Sequence, residues 1–116
     1  MMRNPALITA HRHPAGFLEA RARVGSGSHG EVLASFLESD VQGDLVTARA
    51  LLDEVAAAQH GVRSRPGVGN AYSVAIGPDG VVICNAVLED ALPERYSLAD
   101  LRVALETWIS AIKDAR

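Results

Sequence analysis

The sequence predicts a single α+β domain, residues 1–116, with an antiparallel or mixed sheet of about four or five strands packed by two helices. Three observations carry this. Residues 70–88 read as a hairpin: Asn70-Ala-Tyr-Ser-Val-Ala-Ile, then Gly77-Pro-Asp-Gly80, then Val81-Val-Ile-Cys-Asn-Ala-Val-Leu. Leu98, Leu101, Leu105, Trp108 and Ile112 repeat at alternating steps of three and four, the stripe of a helix with one apolar face. Between Phe17 and Val24, Leu18, Ala20, Ala22 and Val24 alternate with Glu19, Arg21 and Arg23, a strand with one wet face.

Each element has its own signal. Ala6, Leu7, Ile8 and Thr9 suggest a short first strand, and Pro14-Ala-Gly16 a turn into the second. Gly25-Ser-Gly-Ser-His-Gly30 reads as a flexible connection. Glu31 to Glu38 alternates Val32, Ala34 and Phe36 with Leu33, Ser35 and Leu37; it reads as a third strand, with a short helix as the competing reading. Ser39-Asp-Val-Gln42 has the capping-box pattern, and Asp44 is a second possible cap. The helix beyond them, Leu45 to Gln59, places Leu45, Ala48, Leu52, Val55 and Ala58 on one stripe, with Arg49 and Asp53 spaced to pair outside it. Gly61 stops it. Residues 61–70 hold Gly61, Pro66, Gly67 and Gly69 and read as a loop. The hairpin strands are apolar on both faces, notably Val81, Val82 and Ile83, so they belong at the centre of a sheet with cover on at least one side. Ser97 starts the last helix, and Asp100 completes a weaker capping box. The element order is β-β-(β)-α-β-β-α.

Composition narrows the function classes. Apolar residues at 48% and charged residues at 22% describe an ordinary globular chain. No apolar run approaches the roughly 20 residues that span a bilayer. Met1-Met2-Arg3-Asn4-Pro5 carries no apolar segment of signal-peptide length, so cytoplasmic residence is the expectation. The single cysteine, Cys84, excludes an intramolecular disulfide and a thiolate zinc cluster; inside an apolar strand it reads as a buried, inert thiol. The net charge of −3 is unevenly spread. Residues 1–30 carry +3, residues 31–61 carry −5, residues 62–78 carry +2, residues 79–100 carry −4 and the remainder +1. The acidic blocks argue against direct nucleic-acid binding, which calls for a basic excess, and suit a basic protein partner. Ordinary solvated surface is the plainer explanation of the same charges.

Several motifs touch catalysis without completing it. Gly25, Gly27 and Gly30 fit the dinucleotide G-x-G-x-x-G spacing after a strand. The first strand of that fold is buried on both faces, however, and this one carries Glu19, Arg21 and Arg23. A small nucleotide- or metal-binding enzyme using the Gly25–Gly30 loop and His29 is the alternative function this spacing leaves open. His11 and His13 share one side of an extended segment, with His29 and His60 on separate loops, and nothing fixes a third ligand or a neighbouring acid. Ser26, Ser28 and His29 are adjacent, but a nucleophile needs a base held by a third group across the fold. Asp53-Glu54 reads as helix surface, and Glu89-Asp90 as loop acids suited to binding.

The hairpin from Asn70 to Ile76, the Asp79-Gly80-Val81 turn, the Ile83-Cys-Asn-Ala-Val strand and the closing Tyr96-Ser-Leu to Trp108 helix resemble small bacterial immunity proteins of contact-dependent growth inhibition and related polymorphic toxin systems. Glu31-Val32 to Phe36 and Leu51-Leu52-Asp53-Glu54-Val55 also resemble a short bacterial family with the same element order. The likeness covers residues 16–112. It implies a cytoplasmic protein with no catalytic residues, cofactor or metal, which binds one cognate toxin domain and blocks it; such toxins are often nucleases, commonly acting on RNA. The binding surface of that class is variable, so no residue transfers by motif. Charge clustering alone nominates Glu38, Asp40, Asp44, Glu89, Asp90 and Glu94 as toxin-binding.

Overall fold

A computed structural model describes residues 6–64 and 66–114. The reading of Met1–Pro5 and the charges of Arg65 and Arg116 lie outside the described residues. Strands β1 (Ile8–Arg12) and β2 (Leu18–Ala22) lead into helix α1 (Gly27–Phe36), which continues through one π turn, Leu37–Val41. Helix α2 (Leu45–Gln59) follows, then β3 (Gly67–Val68), β4 (Tyr72–Gly77), β5 (Gly80–Asn85), β6 (Glu94–Tyr96) and helix α3 (Leu98–Asp114). The molecule is an α+β domain, as its patterning predicts. The expected single sheet is in fact two antiparallel sheets, β1-β2 and β3-β4-β5-β6, and three helices rather than two are present among the described residues.

The extra helix is the segment read as a third strand. Gly30, Leu33, Ala34, Phe36, Leu37 and Val41 are all buried. A strand would have turned either Phe36 or Leu37 to water; helical and π turns bury both. The π turn ends at Gln42, whose φ is +56° and whose N–H donates to the Leu37 carbonyl at 2.7 Å. Because α1 leaves β2 at once, no third strand pairs with β2 among the described residues. The Ala20 N–H is taken instead by the Glu38 carboxylate at 2.7 Å.

The second strand ends earlier than its alternation suggests, since Val24 lies beyond it at 99% exposure. Ser39 sits within the π turn, so its capping-box pattern goes unused, and Asp44 caps α2. Leu51 joins Ala48, Val55 and Ala58 on the buried side of α2, with Leu45 and Leu52 at its margins. Arg49 and Asp53 form no ion pair among the described residues. The Ser97 hydroxyl caps α3 by accepting the Asp100 N–H at 3.0 Å. Residues 61–70, read as a loop, include the two-residue edge strand β3, and β6 adds a second short edge.

Helix α3 crosses α2 and the β1-β2 hairpin, and its Leu101, Ala104, Leu105, Trp108, Ile109 and Ile112 enter the core. Trp108 is fully buried, and its indole N–H donates to the Gln42 carbonyl at 2.6 Å, tying α3 to the end of the π turn. The central hairpin closes with Gly77 opposite Gly80, so Pro78 and Asp79 make the turn. Gly80 has φ +127°, and a Cβ there stands 2.9 Å from the Tyr96 carbonyl oxygen. Gly80→Ala is therefore expected to cost about 1–3 kcal/mol, read as a lower urea midpoint at unchanged slope. An unchanged midpoint refutes the strain argument.

Candidate functional site

Four of the six acids nominated from charge have hydrogen-bond or ion-pair partners within the chain. Glu38 holds β2, as above. Asp40 accepts the Ala71 N–H on Oδ1 and the Tyr72 N–H on Oδ2, each at 3.0 Å, and the Ser39 hydroxyl at 2.9 Å. It pins the start of the hairpin to the π turn, and Gly69 lies against it so closely that a Cβ would meet its carboxylate. Asp44 accepts the Thr47 hydroxyl at 2.8 Å and the N–H groups of Val46 and Thr47. The Thr47 hydroxyl, then these amides, hold the Asp44 carboxyl below the ordinary carboxylate range. The cap is therefore intact above that range and fades as falling pH protonates it.

Glu94 belongs to a separate cluster. Its carboxylate lies 3.3 Å from His29 Nδ1 and accepts the Ser28 hydroxyl at 3.5 Å. The His29 ring stacks on Tyr96 at 4.3 Å, and the Tyr96 hydroxyl donates to the His29 carbonyl at 2.6 Å. Burial, then the nearby Glu94 charge, pushes the Tyr96 phenol well above its usual range. An oriented histidine–carboxylate pair is the start of general-base chemistry. Ser28, however, faces the carboxylate rather than the imidazole, so the three do not form a nucleophile–base–orienter chain.

The glycine bend is not the plain flexible loop its composition suggests. Gly25 and Gly27 take φ +87° and +60°, and α1 begins at Gly27. Gly30 is buried in the first turn, where a Cβ would meet Ser26 and Ala22. So a helix N-terminus does follow the glycines. Two features still separate it from a dinucleotide site. The strand before it pairs antiparallel in a hairpin, where the fingerprint needs a parallel βαβ unit. The first turn also already has the Glu94 carboxylate beside it, which opposes an incoming phosphate.

His11 in β1 and His13 just after it are drawn to nearer partners. His11 Nε2 lies 2.8 Å from the Thr9 hydroxyl; His13 accepts the Ala15 N–H, stacks on Phe17 and lies 3.7 Å from Glu19. The acid missing beside them in sequence arrives from β2. No group of three His, Cys, Asp or Glu side chains converges among the described residues. A cavity of about 620 Å³ opens between the β1-β2 turn, the π turn and the end of α3. Arg12 and Glu38 line it with Phe17, Leu18 and Ile112, but Arg12 donates to the Gly16 carbonyl and Glu38 accepts from Ala20.

Glu89 and Asp90 are different. Both are exposed, and neither forms a hydrogen bond or ion pair among the described residues. They sit in the loop joining β5 to β6 with Val87, Leu88 and Leu92, which are 70%, 62% and 81% exposed. The Asn85 side chain shapes this loop by accepting the N–H groups of Val87 and Leu88 at 2.8 and 3.0 Å. Cys84 is half-buried rather than buried, with Sγ 3.7 Å from the Ala91 carbonyl oxygen. Sequence reading found the two acids by charge. It missed the apolar residues beside them, although Val87, Leu88 and Leu92 stand in the same stretch.

No helix among the described residues is long and apolar enough to cross a membrane. In comparisons with protein-family models, curated proteins and solved structures, the chain matches none.

Proposed function

We propose that this protein acts by binding another protein, and that the partner is a basic toxin domain, of the nuclease kind, which it neutralises without carrying out a reaction. The observation that supports this best is the loop of residues 86–93. Three exposed apolar side chains there flank two carboxylates with no internal use. Apolar groups left in water beside unpaired charge describe a binding surface, with area for affinity and charge for association rate and selectivity. The resemblance supplies the toxin as partner and the cytoplasm as compartment. Glu38, Asp40, Asp44 and Glu94 also hold hydrogen bonds or an ion pair within the fold, which leaves Glu89 and Asp90 as the nominated acids without one among the described residues.

The test is titration calorimetry against a toxin domain encoded beside this chain's gene. Glu89→Lys with Asp90→Lys is expected to weaken binding at least tenfold, about 1.4 kcal/mol, and to slow association most at low salt. Folding stability is expected to hold. Unchanged affinity in this double variant rejects the loop as the binding surface. Turnover of any substrate that His29→Ala abolishes rejects the non-enzymatic reading.

A further inference from the structure

Strand β5 is apolar on both faces, but the helices cover only one. Tyr72, Ile76, Val81, Ile83 and Tyr96 point into the core. Ser73, Ala75, Val82 and Cys84 alternate with them on the outer face and are half-buried, and Val68 beside Ser73 is exposed. No described helix or strand lies across these side chains. An antiparallel sheet that faces water normally presents polar side chains there; this face offers Ser73 and, opposite Val82, Arg95. The contact from Cys84 to Ala91 brings the 86–93 loop, with its exposed Val87, Leu88 and Leu92, to the Cys84 end of the same face. The sheet face itself is more apolar than a solvent face requires.

Its charges are arranged by end. Glu89 and Asp90 lie at the Cys84 end. Toward the hairpin turn lie Arg63, Asp79 and Arg95. Arg63 donates to Asp79 at 2.8 Å, and Arg95 adds its field to the same carboxylate. That leaves one net positive charge, with Arg95 making no ion pair among the described residues. Two sheets can stack face to face about a twofold axis in either of two directions. An axis along the strands sets each acidic loop against its own copy, like charge on like. An axis across the strands brings each acidic loop to the basic end of the other sheet. Small side chains at Ser73 and Ala75 let the sheets approach to roughly the 10 Å of a packed sandwich.

We propose that a second copy of this chain covers the outer face of the four-stranded sheet, in a twofold dimer whose strands run antiparallel across the interface and whose Glu89-Asp90 loops reach Arg95 of the partner subunit. This does not rest on the toxin reading, although a second copy and a toxin would compete for the 86–93 loop; the test uses the chain alone, so its failure leaves the toxin reading standing.

Sedimentation equilibrium on the purified chain tests it. The wild type is expected at twice the chain mass of 12.3 kDa. Val82→Arg, and independently Ser73→Arg at an already polar position, are expected to give single chains with unchanged circular dichroism. Glu89→Arg with Asp90→Arg is expected to weaken the dimer about tenfold or more, and adding Arg95→Glu to restore it. A wild type that sediments as one chain at millimolar concentration overturns the proposal. So does a dimer indifferent to both Val82→Arg and Ser73→Arg. A dimer broken by those two variants but untouched by the charge swaps overturns the assigned orientation.

Discussion

Trp108→Ala is expected to remove about 3–5 kcal/mol of unfolding free energy, a large share of the roughly 5–15 kcal/mol that a domain of this kind holds. Trp108 is fully buried on α3, which packs on α2 and β1, and it bonds the end of the π turn, so truncation leaves a cavity in the core. The cost has a second component. The indole N–H satisfies the Gln42 carbonyl at a residue held at φ +56°. Trp108→Phe keeps most of the volume and loses the donor, so it isolates that component at about 1–3 kcal/mol. Chemical denaturation of both variants checks the partition. A loss below 1 kcal/mol in the alanine variant shows that the site collapses around the gap and is not the anchor of the core.

Asp40→Ala is expected to cost roughly 2–4 kcal/mol, because it strands two part-buried N–H donors, those of Ala71 and Tyr72, at about 1–3 kcal/mol each less what water recovers. The hairpin start then loses its attachment to the π turn, and Tyr72, whose hydroxyl also donates to Ser35, loses its fixed position. Hydrogen exchange at Ala71 and Tyr72 reports this directly: both amides are expected to exchange faster than the rest of β4. If stability holds and only partner binding falls, Asp40 is an interface residue after all. Asp40→Ala and Glu89→Lys are thus opposite experiments. The first is expected to change stability and the second affinity, although both residues are acids nominated by the same charge count.

Local patterns that matched a local requirement were legible in the sequence. The α3 stripe, the Gly77–Gly80 turn, the Asp44 cap and the bounds of α2 appear where periodicity and turn chemistry put them, since each depends on residues within a few positions of one another. Residues 31–38 misled because their apolar side chains fit two periods at once, and the choice came from what lay on both sides. With β2 packed on one side and the Tyr72 ring of β4 set edge-on to Phe36, Phe36 and Leu37 are buried together because the segment is helical. The acids were legible as charge but not as roles. Glu38, Asp40 and Glu94 find their partners 18, 31 and 65 residues away along the chain. No spacing rule reaches that far.

By itself, the sequence determined the α+β class, the hairpin, the long helices and an apolar β5 that needs cover on at least one side, because backbone preference and side-chain period are short-range properties. Only the tertiary structure decided that the strands divide into two sheets, that four of six acids serve the fold, and that one face of β5 stays open. Those outcomes depend on which distant groups satisfy a buried N–H or a charge first, and that choice is made between residues far apart along the chain.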